Sequence, residues 1–164
     1  LRLELLELND ILLVAWEVVE PLAQEKQINL RISGAKTLQF SGDRSRLIQV
    51  FINLLDNSIK HSPNNSEILV NLRDNQDEQT REISILDQGT GFLDKDLPHI
   101  FNRLYRGDTS RTRQGVDDQS VRSGSGLGLA IVQEIIEAHG GTITAKNHPD
   151  TGGAWIEIML TKTP

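Results

Sequence analysis

The chain contains no cysteine. That excludes a disulfide framework, a thiolate metal site and a cysteine nucleophile, and it fits a reducing compartment. It also lacks any apolar run of about 18 residues and any visible secretory signal, so nothing in it reads as a membrane span. An excess of positive charge is missing too: the net charge is −6, which argues against a nucleic-acid partner. The first residue is Leu1 rather than Met, in the middle of a pattern. A fragment of a longer protein is therefore expected. What is present is 164 residues, 37% hydrophobic and 24% charged, a size and composition that suit one globular domain with a single core.

The stretch 43–61 organises the rest. At about 100° per residue it forms a helix in which Leu47, Ile48, Phe51, Ile52, Leu54, Leu55 and Ile59 cover a broad apolar face. Gln49, Asn53, Asn57 and Lys60 share a stripe opposite, within roughly 80° of arc. Asp43 precedes the helix and is suited to cap it. The polar stripe is either a solvated surface or a ligand face. An asparagine oxygen suits Mg²⁺, and a lysine one turn on suits phosphate.

Around this helix, alternation and turn signals predict the other elements. Residues 1–8 read as the tail of a preceding helix or a linker. A helix follows from Ile11 to about Lys26, capped by Asn9 or Asp10, with Leu12, Val14, Trp16, Val18, Val19 and Leu22 inward and Pro21 as a possible kink. Strands are expected at 28–32 and 38–41, joined by a Ser33-Gly34 turn. Further strands are expected around Ile68–Leu72 and Ile83–Asp87, with the polar run 74–81 as a long hairpin loop. Regularity then fades, apart from a short helix near 97–104. Residues 107–125 carry almost nothing apolar and read as a functional lid or a disordered loop. A helix at 127–139 ends at Gly140-Gly141. Strands at 142–146 and 154–160 close the domain, with Trp155 or its neighbours Ile156, Ile158 and Leu160 inward. Paired strands alternating with single helices imply an α/β two-layer sandwich, a mixed, mostly antiparallel sheet covered on one face by helices.

Three further motifs carry chemistry. In Asp87-Gln-Gly89-Thr-Gly91 a carboxylate at a strand end could accept from an exocyclic amine beside glycines that admit a flat ring; a simple tight turn reads equally well. Gly124-Ser-Gly126-Leu-Gly128 leads into a helix, where backbone amides and the helix dipole favour phosphate; a flexible hinge is the other reading. The pattern is neither a Walker loop nor a dinucleotide fingerprint. Between them, Phe101-Asn-Arg103-Leu-Tyr105-Arg106 sets two arginines on one helical face.

Together, Asn-Leu-Leu-x-Asn-x-x-Lys, Asp-x-Gly-x-Gly, Phe-x-Arg-x-Tyr-Arg and Gly-x-Gly-Leu-Gly-Leu, in this order, resemble the N, G1, F and G2 boxes of the catalytic and ATP-binding domain of two-component sensor histidine kinases. Gly152-Gly153 resembles the family's late glycine pair. The resemblance spans about Asp10 to Leu160 and implies the Bergerat ATP-binding fold, with ATP and Mg²⁺ bound. It makes Asn57 the Mg²⁺ ligand, Asn53 its companion near the phosphates and Lys60 a phosphate contact. His61 would pack by the adenine and Asp87 would select it through the 6-amino group. Gly89 and Gly91 would shape the base pocket. Arg106 would reach the γ-phosphate, with Arg103 a second candidate. Gly124, Gly126, Gly128 and the Leu127 backbone would hold phosphates and hinge an ATP lid at about 92–123. Catalysis would fall to Asn53, Lys60 and Arg106.

This chain departs from the family pattern at His61, where Tyr is frequent, at Ser123, where a further Gly is frequent, and at Thr161, where Pro is typical. It also lacks the acceptor His of a His-Glu or His-Asp pair, since its four histidines precede Ser62, Ile100, Gly140 and Pro149. Residues 1–8 would then be the remnant of a dimerisation helix or a linker, and 9–164 the catalytic domain. The implied function is donation of the γ-phosphoryl of ATP to a histidine on a separate dimerisation domain, with a response regulator downstream. The fragment would be monomeric, the parent homodimeric and this domain cytoplasmic. The alternatives are a gyrase- or chaperone-like ATPase of the same superfamily and an anti-sigma-type serine kinase. Both usually carry Glu where this chain has Asn53, and a carboxamide cannot serve as a general base.

Overall fold

A computed structural model describes residues 1–103 and 127–161. Its first element is a strand, β1 (Leu3–Glu7), where the sequence suggested a helix tail or linker. β1 pairs antiparallel with β3 (Gln39–Asp43) along its whole length. The Leu1-Leu3-Leu5 alternation is a strand pattern, but its apolar side faces outward, and Leu3 and Leu5 are exposed. α1 (Leu8–Glu25) starts directly from β1 with Glu7 as N-cap. Neither Asn9 nor Asp10 is the cap, because the strand pairing carries on to Leu8, whose N–H donates to Leu38 O at 2.8 Å. The Glu7 carboxylate takes the Leu38 N–H.

α1 buries Leu8, Ile11, Leu12, Ala15, Val19 and Ala23 along α2 (Arg44–His61). Val18 and Leu22, expected inward, are exposed. The buried stripe advances in steps of three and four through two alanines, so its small residues hide it from a reading based on bulk. Pro21 lies on the exposed side, and the helix continues through it.

β2 (Asn29–Gly34) and β3 are not a hairpin. β2 pairs parallel with β4 (Glu67–Asn75), with β3 and α2 forming the crossover that a parallel pair needs. β4 and β5 (Thr80–Leu86) make the predicted hairpin, with strands longer and loop shorter than expected. Among the described residues, a 3-10 turn at Leu97–His99 and then α3 (Leu127–Ala138) follow. β6 (Thr142–Asn147) and β7 (Ala154–Thr161) then complete a mixed, mostly antiparallel sheet in the order β2-β4-β5-β7-β6.

Alternation in these strands turns one face to the helices. Ile68, Val70, Leu72, Ile83, Ile85, Ile156, Ile158 and Leu160 are all buried there against Leu47, Phe51, Leu54 and Leu55 of α2 and Val132 and Ile136 of α3. The apolar face of α2 thus packs into this core, with Ile48 and Ile52 half-buried. Its polar flank is left at the edge of the layer, where β5 ends.

Candidate functional site

α2 is held at both ends. At its start the Asp43 carboxylate accepts from Arg46 N at 3.2 Å and from Arg2 N at 2.9 Å, capping the helix and fastening β1. These two backbone N–H groups hold the carboxyl down at about 2. His139, at the end of α3, is tied to the same point. Its Nε2 accepts from Asp43 N at 3.0 Å and its Nδ1 faces Ile135 O at 2.8 Å, partners that call for the Nδ1–H tautomer. At the other end, the Lys26 ammonium donates to Ile59 O at 2.7 Å and to Lys60 O at 3.3 Å. A residue of the α1–β2 connection therefore caps the last turn of α2.

The C-terminal end of α2 carries Asn57, Lys60 and His61, with Asn53 one turn before them. Asn53 and Asn57 are half-buried, and Lys60 and His61 are exposed. Lys60 Nζ lies 2.8 Å from Asp56 Oδ2. Asn53 Nδ2 makes a long 3.4 Å contact to Gly128 O, which brings the first turn of α3 to the asparagine flank. His61 Nδ1 is 2.9 Å from Asn57 O.

Asp87, the residue after β5, is 1% exposed. Its Oδ1 accepts from Gly89 N at 2.9 Å and from Ala154 N at 3.1 Å. Its Oδ2 is buried and has no hydrogen-bond partner among the described residues. Burial pushes this carboxyl above the usual carboxylate range, and the two N–H donors and the nearby His61 only partly offset it. A buried acceptor without a donor is costly in the free protein and is a feature of ligand sites.

The glycines explain how the walls come so close. A Cβ on Gly89 would collide with the His61 carbonyl, and one on Gly153 would collide with the Asp87 carbonyl. Gly91 has φ +78° and backs onto the Gly152 carbonyl. The Asp-x-Gly-x-Gly turn thus sits between the end of α2 and the β6–β7 turn.

Of the residues singled out in the sequence, Asn53, Asn57, Lys60, His61, Asp87, Gly89, Gly91 and Gly128 fall on the elements around this edge. Arg103 is in the described part but is exposed and paired with Glu134 of α3 at 2.5 Å. Arg106, Gly124 and Gly126 lie outside the described residues, as does most of the expected lid; of Leu127 only its place at the start of α3 is described. Lys26, Asn147, Ala154 and Glu134 were not singled out. A clue to Ala154 lay in the preceding glycine pair; Lys26 and Asn147 gave no local signal, since each acts on a segment distant in sequence.

The family model described as "Histidine kinase-, DNA gyrase B-, and HSP90-like ATPase" matches residues 42–164. The chain belongs to this ATPase family. Sensor protein SphS of Synechococcus elongatus is 42% identical over 163 residues, covering 99% of this chain and 39% of that protein. The chain thus spans less than half the length of this curated relative. Among solved structures, the mycobacterial sensor histidine kinase MprB superposes with a TM-score of 0.79 at 28% identity, over 99% of each chain. Histidine kinase ThkA, solved in complex with response regulator protein TrrA, matches with a TM-score of 0.76 at 23% identity, over 99% of this chain and 42% of that one. That last likeness concerns the fold alone.

Proposed function

We propose that this chain is the catalytic domain of a sensor histidine kinase, which holds ATP at the α2 edge and donates its γ-phosphoryl group to a histidine on a separate dimerisation domain. The observation that carries the nucleotide reading is the partnerless Asp87 Oδ2. It is a buried acceptor in a wall thinned by Gly89 and Gly153, as an exocyclic adenine amine requires. His61 lines the same wall. Asn53, Asn57 and Lys60 follow along α2 toward the start of α3, a spacing that suits the phosphates.

Asn57 would hold Mg²⁺, which would supply charge neutralisation at the phosphates. Lys60 exchanges Asp56 for phosphate as the nucleotide enters. Arg106 adds charge at the γ-phosphate, and Arg103 does so once released from Glu134. Gly124, Gly126, Gly128 and the Leu127 backbone supply amides to the phosphates. In the transfer, a histidine nitrogen forms a bond to the γ-phosphorus as the bond to the bridging oxygen breaks. ADP leaves with that electron pair, and the proton on the other ring nitrogen of the histidine passes to a base on the acceptor domain. The protein's share is positioning and electrostatics. Asn53 favours transfer over hydrolysis, because a carboxamide cannot deprotonate water. The further partners are a response regulator, which would receive the phosphoryl group from the histidine, and a second copy of the parent. The domain would face the cytoplasm.

The test is γ-labelled ATP given to the full-length protein. Acid-labile, base-stable label on histidine is expected, lost in Asn57→Ala, with none on this chain alone. Release of label as inorganic phosphate without protein labelling, or label on serine, would overturn the kinase reading in favour of an ATPase or a serine kinase.

A further inference from the structure

We infer that Asn147 is a positioning residue for nucleotide binding: its carboxamide fastens the chain just beyond the Asp-x-Gly-x-Gly turn and so fixes the shape of the adenine wall. This rests on the ATP reading given above.

Asn147 is the last residue of β6 and pairs with Ala154, the first residue of β7. Ala154 in turn holds the start of the turn: its O accepts from Asp87 N at 3.1 Å and its N donates to Asp87 Oδ1 at 3.1 Å. The Asn147 side chain holds the other end. Its Oδ1 accepts from Phe92 N at 2.7 Å and its Nδ2 donates to Phe92 O at 2.8 Å. A side chain here takes the place of a neighbouring strand, meeting one residue's donor and acceptor together. Residues 87–92 therefore form a short loop closed at both ends by adjacent positions of the β6–β7 pair.

The fit admits little else. The carboxamide has both a donor and an acceptor, and reversing it would set NH₂ against N–H and oxygen against oxygen. Gly91 brings the loop against this side chain: a Cβ there would collide with Asn147 Oδ1 and Gly152 O. The turn behind is itself closed. Gly152 N donates to His148 O and His148 N to Gly153 O, each at 2.8 Å, so the turn next to the anchor is closed by its own backbone. Among the described residues the Asn147 side chain hydrogen-bonds to Phe92 and to neither the Asp87 carboxylate nor the asparagine flank, so it acts through the loop.

The consequence is a split that general loss of stability would not give. In Asn147→Ala, with the fold intact at the temperature used, ADP should bind about tenfold more weakly, the scale of losing two hydrogen bonds that preorganise a site. Amide exchange at Gly89–Phe92 should accelerate while that of β4 and α2 does not. Asn147→Asp keeps the acceptor for Phe92 N but opposes Phe92 O while ionised. Its ADP affinity, relative to the unaltered chain at the same pH, should recover as pH falls toward about 4, where the carboxyl takes up a proton and regains a donor. Unchanged ADP affinity and unchanged exchange at Phe92 in Asn147→Ala would overturn this role alone. Failure of the unaltered chain to bind ADP would overturn the ATP reading and this role with it.

Discussion

At the scale of single residues, two carboxylates are driven in opposite directions by their surroundings, and each has a consequence in pH. Asp43 is held near 2 by backbone donors. A depressed folded value contributes stability that is present above the unfolded value of about 3.9 and is lost as pH falls from there toward 2. Asp43→Asn should therefore flatten the acid limb of a stability–pH curve; an unchanged limb would show that the cap does not carry it. Asp87 is the reverse case. Its folded value is raised by burial, so its contribution is favourable below the unfolded value and fades as pH rises through the folded one. Asp87→Asn keeps the acceptor for Gly89 and Ala154 and removes the cost of burying an ionisable carboxyl. The variant should melt higher than the unaltered chain at pH 7, with the difference shrinking toward about pH 4. The same change turns an acceptor toward the ligand into a donor, so stability and adenine preference should move in opposite directions.

At the scale of elements, α2 is the piece the sequence showed best. The Asp43 cap, the buried face and the asparagine stripe were all legible, because helix periodicity is local information. α1 was less so. Its exposed Val18 and Leu22 outweigh the buried Ala15 and Ala23 in any reading by bulk, and its start is fixed by pairing to Leu38, thirty residues away in the chain. The C-terminal end of α2 depends on Lys26 in the same non-local way. Lys26→Met should cost about 1 kcal/mol of stability and speed amide exchange in the last turn of α2. Because Asn57, Lys60 and His61 ride on that turn, nucleotide affinity should fall as well. Thermal melting and exchange measurements would check both parts, and an unperturbed last turn would contradict the capping role.

For the whole molecule, the sequence conveyed the layers and the antiparallel bias but not the strand order. Short strands such as β1, β2 and β3 carry no mark of their partners, so the two-stranded β1–β3 sheet and the parallel β2–β4 pair emerge only from the packing. The proposed ligand positions, such as Asn57 and Asp87, stood out in the sequence as motif residues of a type suited to a ligand. The site was opaque wherever a residue acts from behind, as at Lys26 and Asn147. Phe51 belongs to the core cluster that helices and sheet share and is among the largest fully buried side chains. Phe51→Ala should therefore cost about 3–5 kcal/mol and lower the midpoint of one cooperative transition; separate transitions for the helices and the sheet would contradict a shared core.

The claim on which the account turns is that the buried Asp87 oxygen awaits an adenine amine. Calorimetric titration of ADP and GDP, with Mg²⁺, into the unaltered chain and into Asp87→Asn tests it most directly. The account predicts clear preference for ADP in the unaltered chain and loss of that preference in the folded variant. Equal affinity of the unaltered chain for the two nucleotides would contradict it.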